Sequence, residues 1–427
     1  MVAGLVRTVR RQSPERLALV FGLFAGVLSA AFAVSLLQSG QELDFQAYYF
    51  TGKAIVEGKP FVGTAIHEGT FLTDKEYVYT PITGPVFVVY ALFPKWYLGY
   101  VVHGLVLLAT FYALGRISIR YIESHGRDLA KADRWLILLF FMFSGPSVLG
   151  LFRGNVDPIM LWMVVVGYLA VERGREAYGG TLWAIASLFK FFPAMLGVWL
   201  LYRRAYRAIA AALAVGIGAV VLSVAVFGLE THIEFVDFIL HERSRQAAFE
   251  GGLDPTHRAI TLRRPLSRIL PLSGLQLAGL SLALLSPFLA LLYWHAETDL
   301  ENLGVFFATL ITLLITVIPS TMGYSVYFLF PLVALVYLVE NRTAKDCLLA
   351  GLVLIHVIVY PQDIQLLLEA LPLSEGTVET IMAPVWGVLA YGSFQLWGTL
   401  SLFAGCLVYV CLPLTGVSAD RPGIDRT

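Results

Sequence analysis

The run LALVFGLFAGVLSAAFAVSLL, Leu17 to Leu37, holds 21 residues without a charge. As a helix rising about 1.5 Å per residue, it covers the roughly 30 Å hydrocarbon core of a bilayer. Arg7, Arg10, Arg11 and Arg16 precede it. A cleavable leader would have a shorter apolar core and small residues at its exit. Leu36-Leu37-Gln38 supplies none, so the run reads as a retained anchor with its amino terminus inside. The rest of the chain has the same character. Its 427 residues are 58% hydrophobic and 14% charged, where soluble domains run about 45–50% apolar and about 25% charged. Mean hydropathy is +0.74. One integral membrane domain over residues 1–427 is expected, not a set of soluble domains.

Further spans are expected at Trp96–Gly115, Trp135–Phe152, Pro158–Val171, Ala208–Phe227, Gly274–Trp294, Leu303–Ile318, Tyr324–Val339, Cys347–Tyr360 and Pro384–Leu412. Trp183–Leu201 differs, because Lys190 and Pro193 sit in its middle and arginines flank both ends (Arg173, Arg175; Arg203, Arg204, Arg207). Positive charge on both flanks opposes a full crossing, and the proline frees a backbone carbonyl and kinks the run. Two half-helices entering and leaving on one side satisfy both facts. The expected fold is therefore an all-α polytopic membrane protein with about ten full transmembrane helices plus one re-entrant helix pair. Under that topology 18 of the 30 Lys and Arg residues fall inside and 11 outside, as the positive-inside rule requires. Six of the outer eleven (Arg243, Arg245, Arg258, Arg263, Arg264 and Arg268) share loop 229–273, where they either face solvent or hold an anionic ligand.

Loops 38–84 and 229–273 are long enough to build a site. The first begins Gln41-Glu42-Leu43-Asp44-Phe45-Gln46-Ala47-Tyr48-Tyr49 directly after the anchor. An acid between Leu43 and Phe45 is partly desolvated, which raises its pKa and suits a general base. As an alternative, Asp44 caps a helix over Phe45–Ile55. Tyr48, Tyr49, Tyr77 and Tyr79 suit either interfacial anchoring or stacking on a sugar ring. Pro81–Pro94 is too short to span. Arg153-Gly154-Asn155-Val156-Asp157-Pro158 reads as a tight outer turn before a Pro-started helix capped by Asp157. Its Arg153 and Asn155 would project near the face that carries Asp44, and Arg suits bidentate phosphate contacts.

Lys190 lies deep in an apolar segment, at a cost of about 2.5–3.5 kcal/mol on insertion scales. It needs an anion, and no assigned span contains Asp or Glu, so a phosphate ligand is expected; the alternative is a lysine at the tip of a half-helix that reaches the cytoplasmic surface. His103 and His356 read as core histidines, and His232, His241 and His257 match no helical metal pair. Glu42 and Asp44 are the one pair spaced for a divalent cation, and no metal and no other cofactor is expected. Cys347, Cys406 and Cys411 form no CxxC, which argues against a disulfide framework or zinc site. Equal totals of 30 basic and 30 acidic residues give no nucleic-acid surface.

The order of these features resembles glycosyltransferase family 87 of the GT-C superfamily. The matching stretches are Asp44-Phe-Gln-Ala-Tyr48-Tyr49, Gly58-Lys-Pro60, Tyr77-Val-Tyr79-Thr-Pro81, Gly154-Asn155, and Phe189-Lys190-Phe-Phe-Pro193 ahead of Arg203-Arg204. Pro319-Ser320 with Tyr324 and Tyr327 is a weaker match. Arg153-Gly154-Asn155 departs from the Gly-Gln-x-Asn that many members carry. The resemblance implies an inverting transfer of a sugar, usually mannose, from a polyprenyl-phosphate donor to a lipid or glycan acceptor. The reaction would take place at the outer face of a plasma membrane. It carries the role of base to Asp44 and phosphate binding to Lys190, Arg153, Arg258, Arg263 and Arg264. Tyr48, Tyr49, Tyr79, Asn155 and Tyr324 are expected to line the substrates. Membrane lipids are the remaining partners. A transporter or flippase would instead predict intramembrane charge relays and inverted repeats, and the chain shows no repeat. A structural scaffold would leave Lys190 and the first-loop pattern without purpose.

Overall fold

The computed structural model describes residues 13–38, 43–62, 67–68, 71–72, 76–242, 246–249, 251–318 and 322–412. Arg7, Arg10, Arg11, Gln41, Glu42, Arg243, Arg245, Pro319, Ser320 and the 415–427 tail lie outside the described residues, and so do the expectations placed on them.

Helix α1 (Pro14–Gln38) contains the anchor. Near its start Arg16 donates to both carboxylate oxygens of Asp133 at 2.7 Å, and Glu15 accepts from Lys345 at 2.9 Å. The charged base of α1 is thereby tied to two other helices. Helix α2 (Asp44–Val56) follows, then a short hairpin of β1 (His67–Glu68) and β2 (Phe71–Leu72). A 3-10 turn over Pro81–Phe87 leads to α3 (Trp96–Ser124). The expected span 135–152 is split at Ser144 into α4 (Lys131–Phe143) and α5 (Gly145–Arg153), bent by 40°. Helix α6 (Asp157–Glu172) turns sharply through Gly174 into α7 (Glu176–Phe189). After a break come one helical turn, Phe192–Met195, and then α8 (Gly197–Tyr202) and α9 (Tyr206–Asp237).

The second half contains α10 (Arg263–Ile269), α11 (Gly274–His295), α12 (Asp299–Thr316), α13 (Leu329–Leu338) and α14 (Arg342–Ile355). It ends with α15 (Pro361–Glu369), α16 (Glu375–Tyr391) and α17 (Phe394–Cys411). Helices α12 and α13 form the centre, buried along nearly their whole length. A capping box between Thr298 and Glu301 starts α12. Close helix pairs meet at small residues, as membrane helices do. A methyl on Gly180 of α7 would strike the Ala208 carbonyl of α9, and a Cβ on Gly351 of α14 would stand 2.8 Å from the Gly398 carbonyl of α17.

Among the described residues six helices are long and apolar enough to cross a membrane, or seven if the bent α4–α5 pair counts as one span. They suit a multi-pass membrane protein, and the count differs from the ten read from hydropathy. The difference has a local cause. Hydropathy follows composition, whereas several apolar runs do not form full-length helices: Tyr324–Val339 divides into a 3-10 stretch and α13, and α6 and α14, which carry the runs Pro158–Val171 and Cys347–Tyr360, have 16 and 14 residues.

The segment around Lys190 goes out and comes back. Arg203 pairs with Glu172 at 3.2 Å, and the N–H of Arg207 donates to Glu176 at 3.1 Å. Both basic flanks therefore lie at one end of α6. Lys190 lies at the other, against Asp157.

Candidate functional site

Asp44 is the first residue of α2, with Leu43 in the capping position, so the expected cap is displaced by one residue. A carboxylate there is favoured by the unpaired N–H groups and the dipole of the first turn. Gln46 reaches back to the Leu43 N–H at 2.9 Å and fixes where α2 begins.

The groups that meet Asp44 come from the end of α5. Arg153 is its last residue, and Gly154 turns the chain with φ 61°. A Cβ on Gly154 would stand 2.7 Å from Phe45 Cβ and 3.1 Å from the Tyr100 ring, so glycine is required for both its conformation and the close approach. That approach sets Arg153 Nε 3.1 Å from Asp44 Oδ2 and its terminal nitrogen 3.3 Å from Oδ1. Asn155 Nδ2 donates to Asp44 Oδ2 at 2.9 Å. Asn155 Oδ1 accepts the main-chain N–H of Asp157 at 3.0 Å. One amide thus bridges the start of α2 and the start of α6. The Asp44 side chain retains 16% exposure and Arg153 41%, so the pair is open on one side.

Asp157, the first residue of α6, holds the second centre. Its Oδ1 accepts from Lys190 Nζ at 2.5 Å and from the Tyr327 hydroxyl at 2.7 Å. The ammonium also lies 4.3 Å from the centre of the Tyr324 ring, a cation–π distance. This corrects the expectation that Lys190 lacks a carboxylate partner. Asp157 stands one residue before the apolar run of α6, so a span drawn from Pro158 leaves it out. The fold then returns Lys190 to it across 33 positions. The lysine sits where α7 ends: its extended backbone (φ −139°, ψ 131°) breaks the helix and aims the side chain inward.

Tyr48 and Tyr79 complete this face, their hydroxyls 2.7 Å apart. Thr80 anchors the Tyr79 segment to α7 through its N–H and hydroxyl, both bonded to the Leu188 carbonyl. Tyr48 senses the charges of Asp44 and Asp157, and Tyr79 those of Lys190 and Asp157, so the two tyrosines lie between the centres. Burial pushes both phenols well above their ordinary range and keeps them neutral hydroxyls. The structure therefore joins Asp44, Arg153, Asn155, Lys190, Tyr48, Tyr79 and Tyr324 in one neighbourhood.

Other expected site residues have other partners. Tyr49 donates to the Phe93 carbonyl at 2.9 Å and anchors α2. Arg263 and Arg264 are buried, not displayed to solvent. Arg263 Nε donates to the Thr316 carbonyl at 3.0 Å and a terminal nitrogen to Val317, while Arg264 bonds the His257 carbonyl. These guanidiniums satisfy the ends of neighbouring segments, a correction to their reading as open phosphate ligands. Arg258 lies over the rings of Phe32 and Tyr360, at 4.8 and 5.3 Å. Asp157, read from the sequence only as a helix cap, and Tyr327, named there only in the weaker match, are the site residues that sequence reasoning did not assign, although a carboxylate at the head of an apolar helix was the available signal. Among the described residues no group of three or more His, Cys, Asp or Glu side chains is arranged to hold a metal ion.

The family model of glycosyltransferase family 87 matches residues 77–321, more than half of the chain. That stretch includes Arg153, Asn155, Asp157 and Lys190. No curated protein and no solved structure matches the chain significantly.

Proposed function

The chain belongs to glycosyltransferase family 87 and is a membrane glycosyltransferase, and from that premise we propose the reaction it performs. It moves a sugar, mannose, from a polyprenyl-phosphate donor to a hydroxyl of a lipid or glycan acceptor, with inversion, at the outer face of a plasma membrane. Asp44 is the base. It accepts the proton of the acceptor hydroxyl as that oxygen forms its bond to the anomeric carbon. The bond from that carbon to the donor phosphate breaks, and its electron pair leaves with polyprenyl phosphate.

The supporting observation is the setting of Asp44. An arginine and an amide hold its carboxylate in place, and it remains partly exposed. Fixed donors of this kind hold the base at the reacting hydroxyl, where orientation supplies much of the rate, and general-base help is worth about 10²–10⁴. Arg153, the more exposed cation, meets charge growing on the leaving phosphate. Lys190 contributes from the buried side, its charge balanced by Asp157 until the anion arrives. Tyr48, Tyr79 and Tyr324 supply aromatic faces and hydroxyls for the sugar.

Incubation of the purified protein with labelled polyprenyl-phosphate sugars and a membrane lipid extract tests this reading. Label should pass from the mannosyl donor into a new product, and should not pass with Asp44→Asn. Transfer from a nucleotide sugar alone, or undiminished turnover in that variant, overturns it.

A further inference from the structure

A cavity of about 290 Å³ lies between α1 and the segment that links α14 to α15. This is near the lower limit for a small-molecule site, about 300 Å³. Its α1 wall includes Phe24 and Leu28, which are 58% and 56% exposed, so the cavity opens toward lipid. Three side chains lining it carry polar atoms with no hydrogen-bond partner among the described residues: Ser29 Oγ, His356 Nε2 and the Tyr360 hydroxyl. All three residues are more than nine-tenths buried. These three polar atoms have almost no accessible surface, so the wall that an occupant of the cavity meets is mostly apolar.

The cavity also has a polarity. Arg258 lies against Phe32, toward the outer end of α1, and Phe21 lines the opposite part. Eleven residues of helix separate these phenylalanines, about 16 Å, enough for an extended hydrocarbon segment. Leu149 of α5 lines the same cavity. Arg153 follows one turn later on the same face of α5, where it grips Asp44. The apolar length, the cation at one end and the path to the acid together specify an amphiphile with an anionic head directed toward Asp44.

We propose that this cavity holds the isoprenoid chain of the lipid-phosphate sugar carrier, with its phosphate between Arg258 and Arg153 and its sugar directed to Asp44. This assignment rests on the polyprenyl-phosphate reading above and adds the place where that chain binds.

A photoreactive polyprenyl phosphate provides a test that does not depend on turnover. Label should fall on peptides containing Phe24–Phe32 and His356–Tyr360. Excess polyprenyl phosphate should displace it and phosphatidylglycerol should not, and Arg258→Gln should reduce labelling about tenfold, near 1.4 kcal/mol. Leu28→Trp, at an exposed position, should raise KM for a long-chain donor about tenfold and leave KM for a short-chain donor unchanged. Label elsewhere, equal competition by phosphatidylglycerol, or equal KM changes for both chain lengths overturns the assignment. If the wild-type protein takes the label at this cavity yet transfers no sugar from any polyprenyl donor, the reaction reading fails and the lipid site stands.

Discussion

Asn155 donates a 2.9 Å hydrogen bond to Asp44 across 111 residues of sequence, and its other amide atom accepts the N–H of Asp157. A single side chain therefore sets the spacing of two carboxylates at the starts of two helices. One of them faces a partly exposed arginine and the other a buried lysine.

Substitution of Asn155 should separate placement from chemistry. Asn155→Ala leaves Asp44 present but free to rotate, and an error of about 1 Å in a reacting group can cost 10²-fold. Turnover should fall by about 10–100-fold, and donor KM should change little. Asp44→Asn should lose about 10²–10⁴ in kcat and retain the wild-type melting temperature in detergent. A melting loss that tracks the activity loss would assign Asp44 a purely structural role.

The Lys190–Asp157 pair predicts a non-additive stability cycle. Removal of one partner of a buried ion pair costs about 3–5 kcal/mol, because the other charge is left without compensation. Lys190→Met and Asp157→Asn should each lower the melting temperature strongly. The double variant should recover much of the loss, with a coupling energy of about 0.5–3 kcal/mol. Asn at 157 still accepts from Tyr327, so the cycle isolates the charge. Additive losses would show that the two residues act independently.

Gly154→Ala should be costly although it adds one methyl. The left-handed backbone alone costs an L-residue about 1–2 kcal/mol, and the new Cβ would fall within 2.7 Å of Phe45 Cβ. Relaxation of that clash moves Arg153 and Asn155 away from Asp44. Activity should therefore fall further than stability, as seen by comparing specific activity with the melting midpoint.

Stability should also decline in alkali. The phenols of Tyr48 and Tyr79 are held well above their ordinary range by burial. A raised folded-state pKa gives stability that is complete below the free phenol value of about 10, and it is lost progressively as pH rises toward the folded value. Melting temperature should be insensitive to these groups near neutrality and fall above about pH 10. Tyr48→Phe should reduce that slope and cost about 1–3 kcal/mol at neutral pH, because the Tyr79 hydroxyl loses its partner. An unchanged slope in Tyr48→Phe would place the alkaline transition elsewhere.

Much of the site could be read in the chain, and the reason differs from residue to residue. Asp44 is conspicuous as an acid directly after an uncharged 21-residue run. The 153–155 turn is conspicuous because Gly and Asn cluster between apolar segments, and Lys190 because it interrupts one. Arg263 and Arg264 look similar to these on paper, since sequence gives their charge and not the direction of their donors. Only packing shows that main-chain carbonyls at the end of α12 and in the adjoining loop occupy them. The span count was less accessible. Hydropathy averages over a window, while a bend at Ser144 or the 3-10 stretch before α13 decides whether one run is one full helix.

By itself, the sequence determined a helical membrane-embedded chain, its family, and an acid beside the first span. These depend on composition, local spacing and short motifs, which are properties of neighbouring residues. The tertiary structure decided which charges neutralise one another, because partners such as Asp157 and Lys190, or Asp44 and Arg153, are distant along the chain. They meet only where Gly154 lets two backbones approach and where the segment broken at Lys190 doubles back on α6. Buried ions must be compensated somewhere, but composition does not say by which residue.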